Sequence, residues 1–333
     1  MTHADLAYLC AASALAGLIA YTLLGGADFG GGVWDLLASG PRKSQQRHAV
    51  GHAMGPVWEA NHIWLIFVLV TLFTCFPQGY SALCVGLFVP LHLILLGIML
   101  RGAAFIFRKY GAAPHHWGKV FGVASIISPV LLGASFGAVT AGGLRVSAAG
   151  AVITGSDHVA PWLQLYPLGC GILALSTCAY LAAVYLVVET RGELREDFRR
   201  RAIFAGTATA ALSAIVLGLA MRDAPWFVRQ LLSFPAWPVV VVGLVLFASS
   251  AIAVFRRHYV ASCACAAAEV AILLVGWGIA HREFLIYPDV QLVPAAAPSA
   301  TLRFVLWSLP VGLILVLPSM WLLFHTFKRE HLH

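Results

Sequence analysis

Apolar stretches recur along the whole chain, at approximately 6–38, 49–76, 79–107, 117–141, 162–189, 202–221, 237–255, 259–281 and 301–327. Each is long enough to cross a hydrocarbon core of about 30 Å as a helix. The short alternating segments of a membrane β-barrel are missing. The pattern predicts an all-α integral membrane protein with nine transmembrane helices in a single polytopic domain, 1–333. The loop at 142–161 divides the first eight spans into two four-helix groups, with approximate halves 1–141 and 162–281, and leaves the ninth helix, 301–327, peripheral. No internal repeat is visible. Chemistry must occur within the bilayer or at its surface, because the longest connections, near 142–161 and 282–300, are too short to fold alone.

Charge gives the predicted orientation. With the N-terminus outside, the inner loops and the C-terminus collect Arg42, Lys43, Arg47, Arg108, Lys109, Lys119, Arg191, Arg195, Arg199, Arg200, Arg201, Arg256, Arg257, Lys328 and Arg329. The outer loops hold only Arg145, Arg222, Arg229, Arg282 and Arg303, so the C-terminus is expected in the cytoplasm. A net charge of +7 would otherwise suggest a nucleic-acid partner, but this clustering accounts for it, and none is expected. The composition agrees with a membrane protein: 60% of the 333 residues are hydrophobic and 11% charged, with a mean hydropathy of +0.86. Met1 to Asp5 carry no Lys or Arg, so the first span is expected to be retained rather than cleaved as a signal. The seven cysteines lie inside apolar runs without metal-site spacing and read as small hydrophobes.

Two spans carry a polar stripe that lipid would not tolerate. Steps of three and four along the first give Gly17, Tyr21, Gly25, Asp28, Gly32 and Asp35; along the second, His48, His52, Gly55, Glu59 and His62. An antiparallel hairpin turning at residues 43 and 44 places Asp28 beside Glu59, Asp35 beside His52, Gly32 beside Gly55 and Gly25 beside His62. Glycines there let the backbones approach closely. Asp28 and Glu59 then lie roughly 15 Å from the inner ends of their helices, near mid-membrane. An ionised carboxylate at that depth costs about 2.5–3.5 kcal/mol, so at least one of the two must be protonated or paired. Protonatable acids reached from the cytoplasm through Asp35 and His52 are what a proton path requires. The simpler reading is that the acids only lock helix packing, and Asp35 lies close enough to the interface to be a solvated helix end.

Other embedded polar groups have weaker claims. Arg101, inside the third span, either snorkels to the inner surface or, as favoured here, pairs with an acid on a neighbouring helix. His92, near Pro90, suits a bond to a backbone carbonyl, and Glu189 and Glu269 read as structural. Glu59 to His62 form a single E-x-x-H element, whereas a di-iron bundle needs two. His48, His52, His62 and His92 show no axial pairing, so neither metal nor haem is expected on this chain alone.

"GGADFGGG" followed by "GPVWEANHIWLI", with Arg101 on the third helix and nine N-out spans, resembles subunit II of the cytochrome bd quinol oxidase family, including its cyanide-insensitive branch. The specific likeness covers roughly the first 110 residues. The family's motifs read approximately D-G-F-D-x-G-x-G and W-D-x-N-x-x-W. Asp28 matches the second acid of the first motif, and Gly25 stands where the first acid would be. Trp58, Glu59, Asn61 and Trp64 match the second, with Glu for Asp.

The resemblance implies a multi-pass subunit in the bacterial cytoplasmic membrane, part of a respiratory electron-transport complex that oxidises quinol and reduces oxygen to water. Its partner would be a similarly folded subunit I, which holds haems b and d. Asp28 and Glu59 would carry protons inward to the oxygen-reducing site. The resemblance leaves open a quinone contact with this chain, bound membrane lipid and a small single-span accessory subunit. A proton-coupled secondary transporter is the alternative, since paired intramembrane acids with glycine-interrupted helices also mark substrate sites. A purely structural subunit is a third.

Overall fold

The computed structural model describes residues 1–110, 114–147, 150–153 and 160–329, apart from the side chains of residues 55–57, 59, 109, 110, 114, 115, 160, 323, 324 and 327–329. Helix α1, His3–Leu36, begins at a capping box: Thr2 Oγ1 accepts from Asp5 N at 3.2 Å, and Asp5 Oδ2 accepts from Thr2 N at 2.8 Å. Then come α2 (Lys43–Cys75), α3 (Pro77–Gly86), α4 (Phe88–Tyr110) and α5 (Pro114–Thr140). After the short strands β1 (Arg145–Val146) and β2 (Val152–Ile153) follow α6 (Ala160–Leu163), α7 (Leu165–Glu189), α8 (Gly192–Asp223), α9 (Pro225–Leu232), α10 (Ala236–Phe255) and α11 (Tyr259–Ala280). Strands β3 (Phe284–Ile286) and β4 (Val290–Gln291) precede α12, Ser299–Arg329.

Among the described residues, eight helices are long and apolar enough to span a bilayer, and a ninth if one bent pair counts as a span. That pair corrects the expected third span. Residues Ala60–Cys75 and Pro77–Gly86 meet at 118°, so the apolar stretch that begins at 79 is first a short separate helix, and the long one starts at Phe88. Pro77 sits at the first position of α3, where its fixed φ and missing N–H suit a new helix but cannot continue the old one.

Helix α1 packs on α2, α5 and α7, while α7 also packs on α5 and α8, and α10 on α11. Helices α1 and α7 approach closely. A Cβ added at Gly30 would stand 1.9 Å from the carbonyl oxygen of Cys178, and Trp34 Nε1 donates to the Ala179 oxygen at 2.8 Å. The main core gathers here: Trp34, Met54, Val184, Leu186 and Phe198 are buried from four different helices. By contrast, only 6% of the apolar window of α12 is buried.

One end of the bundle joins the start of α1, the end of α2, the β-hairpins and the start of α12. Ala297 N donates to the Cys75 oxygen at 2.8 Å, His3 Nδ1 meets Ser299 Oγ at 2.9 Å, and Arg145 Nε donates to Asp289 Oδ2 at 2.7 Å. The opposite end is tied by Arg42, whose Nε and Nη2 donate to the two oxygens of Asp197 at 2.8 and 2.7 Å. These bonds fasten the α1–α2 loop to the first turn and a half of α8.

Candidate functional site

The polar stripe of α1 turns inward, and Asp28 is only 1% exposed. Its partner comes from α4. Arg101, 2% exposed, donates from Nη1 to Asp28 Oδ2 and from Nη2 to Asp28 Oδ1, and at 2.8 Å from Nη2 to the Asp28 backbone oxygen. Its remaining donor, Nε, reaches Ser125 Oγ on α5 at 2.9 Å, and that hydroxyl donates onward to the Phe121 oxygen at 2.7 Å. The guanidinium lies 5.0 Å from the Phe29 ring centroid and 4.8 Å from that of Phe121. Asn61 Nδ2 on α2 adds a bond to Asp28 Oδ2 at 3.0 Å. Four helices thus supply a fully engaged charge pair, the condition under which a buried charge is tolerated.

A second pair lies two helical turns below, roughly 10 Å along the axis. Arg108 Nη1 stands 2.9 Å from Asp35 Oδ2, and the two pairs share one sequence separation, 73. Asp35 is 1% exposed, whereas the Arg108 side chain is 28% exposed, so this pair opens toward the helix end. The ion pair is close, but its angles fall short of hydrogen bonding, and neither Asp35 oxygen has a hydrogen-bond partner within the protein. Arg47 Nε donates to the Asp35 backbone oxygen at 3.2 Å.

On the other side of Asp28, Tyr21 Oη, Trp64 Nε1 and Ser128 Oγ are buried without a protein hydrogen-bond partner. Tyr21 packs with Phe29 and Trp64, and Ser128 Oγ lies 2.4 Å from where a Gly97 Cβ would be. Buried polar groups of this kind are ordinarily satisfied by ordered water.

The expected neighbours of the hairpin differ in part. Glu59 lies outside the described residues as a side chain, as does Gly55, so the expected Asp28–Glu59 and Gly32–Gly55 contacts fall there too. Gly32 faces α5: an added Cβ would meet Ser125 Oγ at 2.1 Å. Gly25 faces the Tyr21 ring and Asn61 Nδ2 at 3.5 and 3.8 Å. His62 is turned to its own helix, with Nδ1 2.8 Å from the Trp58 oxygen and its ring edge-on to Trp58. The physical reason is that α1 is surrounded, so its small residues serve three neighbours rather than one. His52 stacks on His48 with centroids 6.3 Å apart, and His92 Nδ1 meets the Phe88 oxygen at 2.7 Å. Trp58 stacks on Phe105 at 6.0 Å, against the Gly102 backbone. Sequence reasoning missed Ser125, Phe121 and the Asp35–Arg108 pair; the signal for the last was the matched spacing of Asp28 and Asp35 with Arg101 and Arg108.

Comparison with known proteins bears on what this arrangement serves. The profile of the family described as "Cytochrome bd terminal oxidase subunit II" matches residues 6–327. The chain belongs to that family. This subunit II is 21% identical over 321 residues to the "Putative cytochrome bd menaquinol oxidase subunit II" of Bacillus subtilis (strain 168), covering 93% of this chain and 92% of that protein. It is 28% identical over 208 residues to the "Cytochrome bd ubiquinol oxidase subunit 2" of the same organism, 59% of each chain. Its fold resembles "The structure of bd oxidase from Geobacillus thermodenitrificans" with a TM-score of 0.81 at 19% identity, covering 97% of this chain and 98% of that one. As a cytochrome bd subunit II it is a multi-pass protein of the bacterial inner membrane and part of an oxidase complex. Family membership does not favour the transporter reading.

Proposed function

We propose that this subunit II supports a haem-bearing subunit I in a quinol:oxygen oxidoreductase and supplies a proton path from the cytoplasm toward the site of oxygen reduction. In this reading it binds no haem itself; the b- and d-type haems of the partner supply the redox chemistry. The bundle sits with its N-terminus outside and its arginine-rich loops inside, α12 lies at the edge of two four-helix groups, and quinol and lipid are its membrane neighbours, with room for a single-span accessory subunit.

The observation that carries the path is the line of polar groups inside the first bundle. Asp35, beside the partly exposed Arg108, receives protons from the inner surface. The Asp28–Arg101 pair with Asn61 fixes the next stretch, and Tyr21, Trp64 and Ser128 beyond it are groups suited to ordered water. Both oxygens of Asp28 are held by Arg101, so a proton passing there requires a guanidinium N–H to let go. Asp28 therefore acts chiefly as an anchor that fixes Asn61 and balances charge. Glu59, the remaining acid of the stripe, is the group that accepts and releases protons.

The test is oxygen consumption by the purified complex across pH, with haem spectra recorded on the same samples. Glu59→Gln is expected to lower turnover by about 100-fold or more, as for loss of a positioned proton-transfer group, with haem content intact. Asp28→Asn is expected to lower it less. Unchanged turnover and pH dependence in both variants would leave a purely structural subunit.

A further inference from the structure

Helices α8 and α10 enclose an apolar groove that the proton reading does not use. It has a volume of about 190 Å³. Ile203, Gly206, Thr207 and Ala210 form one wall, at helical spacing, and Phe247, Ala251, Val254 and Phe255 the other, with the Tyr180 ring as the floor. Gly206 matters because a side chain there would press on that ring, with an added Cβ 3.1 Å away.

The groove opens toward a patch of arginines, at the same end of the bundle as Arg42. One turn beyond Ile203, Arg199 donates from Nε to the Val254 oxygen at 3.1 Å and from Nη2 to the Phe255 oxygen at 3.4 Å, which fixes the end of α10 against α8. Arg256 and Arg257, which follow the groove residue Phe255, are exposed. Glu196 stands at the mouth; it pairs with Arg199 at 2.9 Å and lies 3.7 Å from Arg257. His258, also exposed, completes the rim. Three guanidinium groups, of Arg199, Arg256 and Arg257, beside this one carboxylate leave an excess of positive charge.

Arg257 is the most telling member. It has φ of 62° and closes α10, with its N–H on the Val254 oxygen at 3.3 Å and the His258 N–H on the Ala253 oxygen at 2.8 Å. That is the Schellman arrangement, whose left-handed position favours glycine. A side chain is carried there at a conformational cost, and it is a cation directed to the mouth of an apolar groove. A fatty chain in the groove with a phosphate at the rim satisfies both features, and basic pockets between membrane helices recognise anionic lipid headgroups in this way.

We propose that the α8–α10 groove is a binding site for one anionic phospholipid, its acyl chain lying between Ile203–Ala210 and Phe247–Phe255 and its phosphate held by Arg256 and Arg257. The site is independent of the acids in the first bundle. The complex, with its partner subunits, would be reconstituted in nanodiscs of equal phosphatidylglycerol and phosphatidylcholine, released, and read by native mass spectrometry. The wild type is expected to retain phosphatidylglycerol over phosphatidylcholine. Arg256→Gln with Arg257→Gln is expected to cut that preference roughly tenfold or more. Ala251→Leu, which fills the groove and keeps every arginine, is expected to lower retention as well, and it carries the test should the charge variant fail to assemble. Equal retention of the two lipids, undiminished phosphatidylglycerol in both variants, or a single-span polypeptide held in the groove would overturn the proposal.

Discussion

The Asp28–Arg101 pair allows a quantitative test of how charge is tolerated inside this bundle. Arg101→Met leaves the Asp28 carboxylate, 1% exposed, with the Asn61 amide as its remaining side-chain donor among the described contacts. Breaking a buried pair from one side costs about 3–5 kcal/mol, and the two aromatic contacts of the desolvated guanidinium add about 2 kcal/mol each at most. Removing both charges, by Asp28→Asn together with Arg101→Met, leaves neutral groups that pack and bond to Asn61, so most of the penalty should vanish. A double-mutant cycle should therefore give a coupling energy on the order of 3 kcal/mol. The assay is thermal unfolding of the purified complex, followed by loss of native absorbance and by aggregation. Arg101→Met alone should lower the midpoint by about 5–10 °C, and the double variant by clearly less. If the single and double variants melt together, the pair is not desolvated, and the argument from burial fails.

Gly30→Ala should prevent normal assembly, because the added carbon meets the Cys178 carbonyl at 1.9 Å and backbone cannot rotate away; the yield of intact complex on size exclusion checks this, with Gly51→Ala, in open space, as the control. His281, just beyond α11, is held by burial against Trp277, Trp226 and Phe227 at a pKa of about 4. The unfolded chain binds a proton below about pH 6.5 and the folded one only near 4, so stability should fall as pH drops through that window, by on the order of 3 kcal/mol in full. His281→Phe should flatten the dependence of the melting midpoint on pH; an unchanged slope would assign it to other groups.

Much of this organisation was legible in the residues themselves. Hydropathy located the spans because each had to be apolar for 20 residues or so, and Asp28 stood out because lipid excludes it. Hydropathy also ended the second span at 76, beside Pro77; what it could not locate was the division of 79–107 at Leu87 into α3 and α4, since the residues on both sides are apolar. The partners of the stripe were also hidden. A two-helix hairpin assumes one neighbour, whereas α1 meets α2, α5 and α7, so Gly32 faced Ser125 and Gly30 faced Cys178. Ser125 itself resembles any small residue in a packed helix, and only a guanidinium arriving from α4 gives it a role.

The equal spacing of the two Asp–Arg contacts has a mechanical consequence. A single contact acts as a pivot, about which α4 could tilt or turn relative to α1. Two, set about 10 Å apart and equally offset, act like the pins of a plug. A slip of one turn, about 5.4 Å, would unseat both arginines together, so no half-engaged intermediate offers a gentle route between heights. The axial position of α4 relative to α1 is thereby held by electrostatics as well as by the packing of α4 on α5, and a movement that separates α1 from α4 must break both pairs at once.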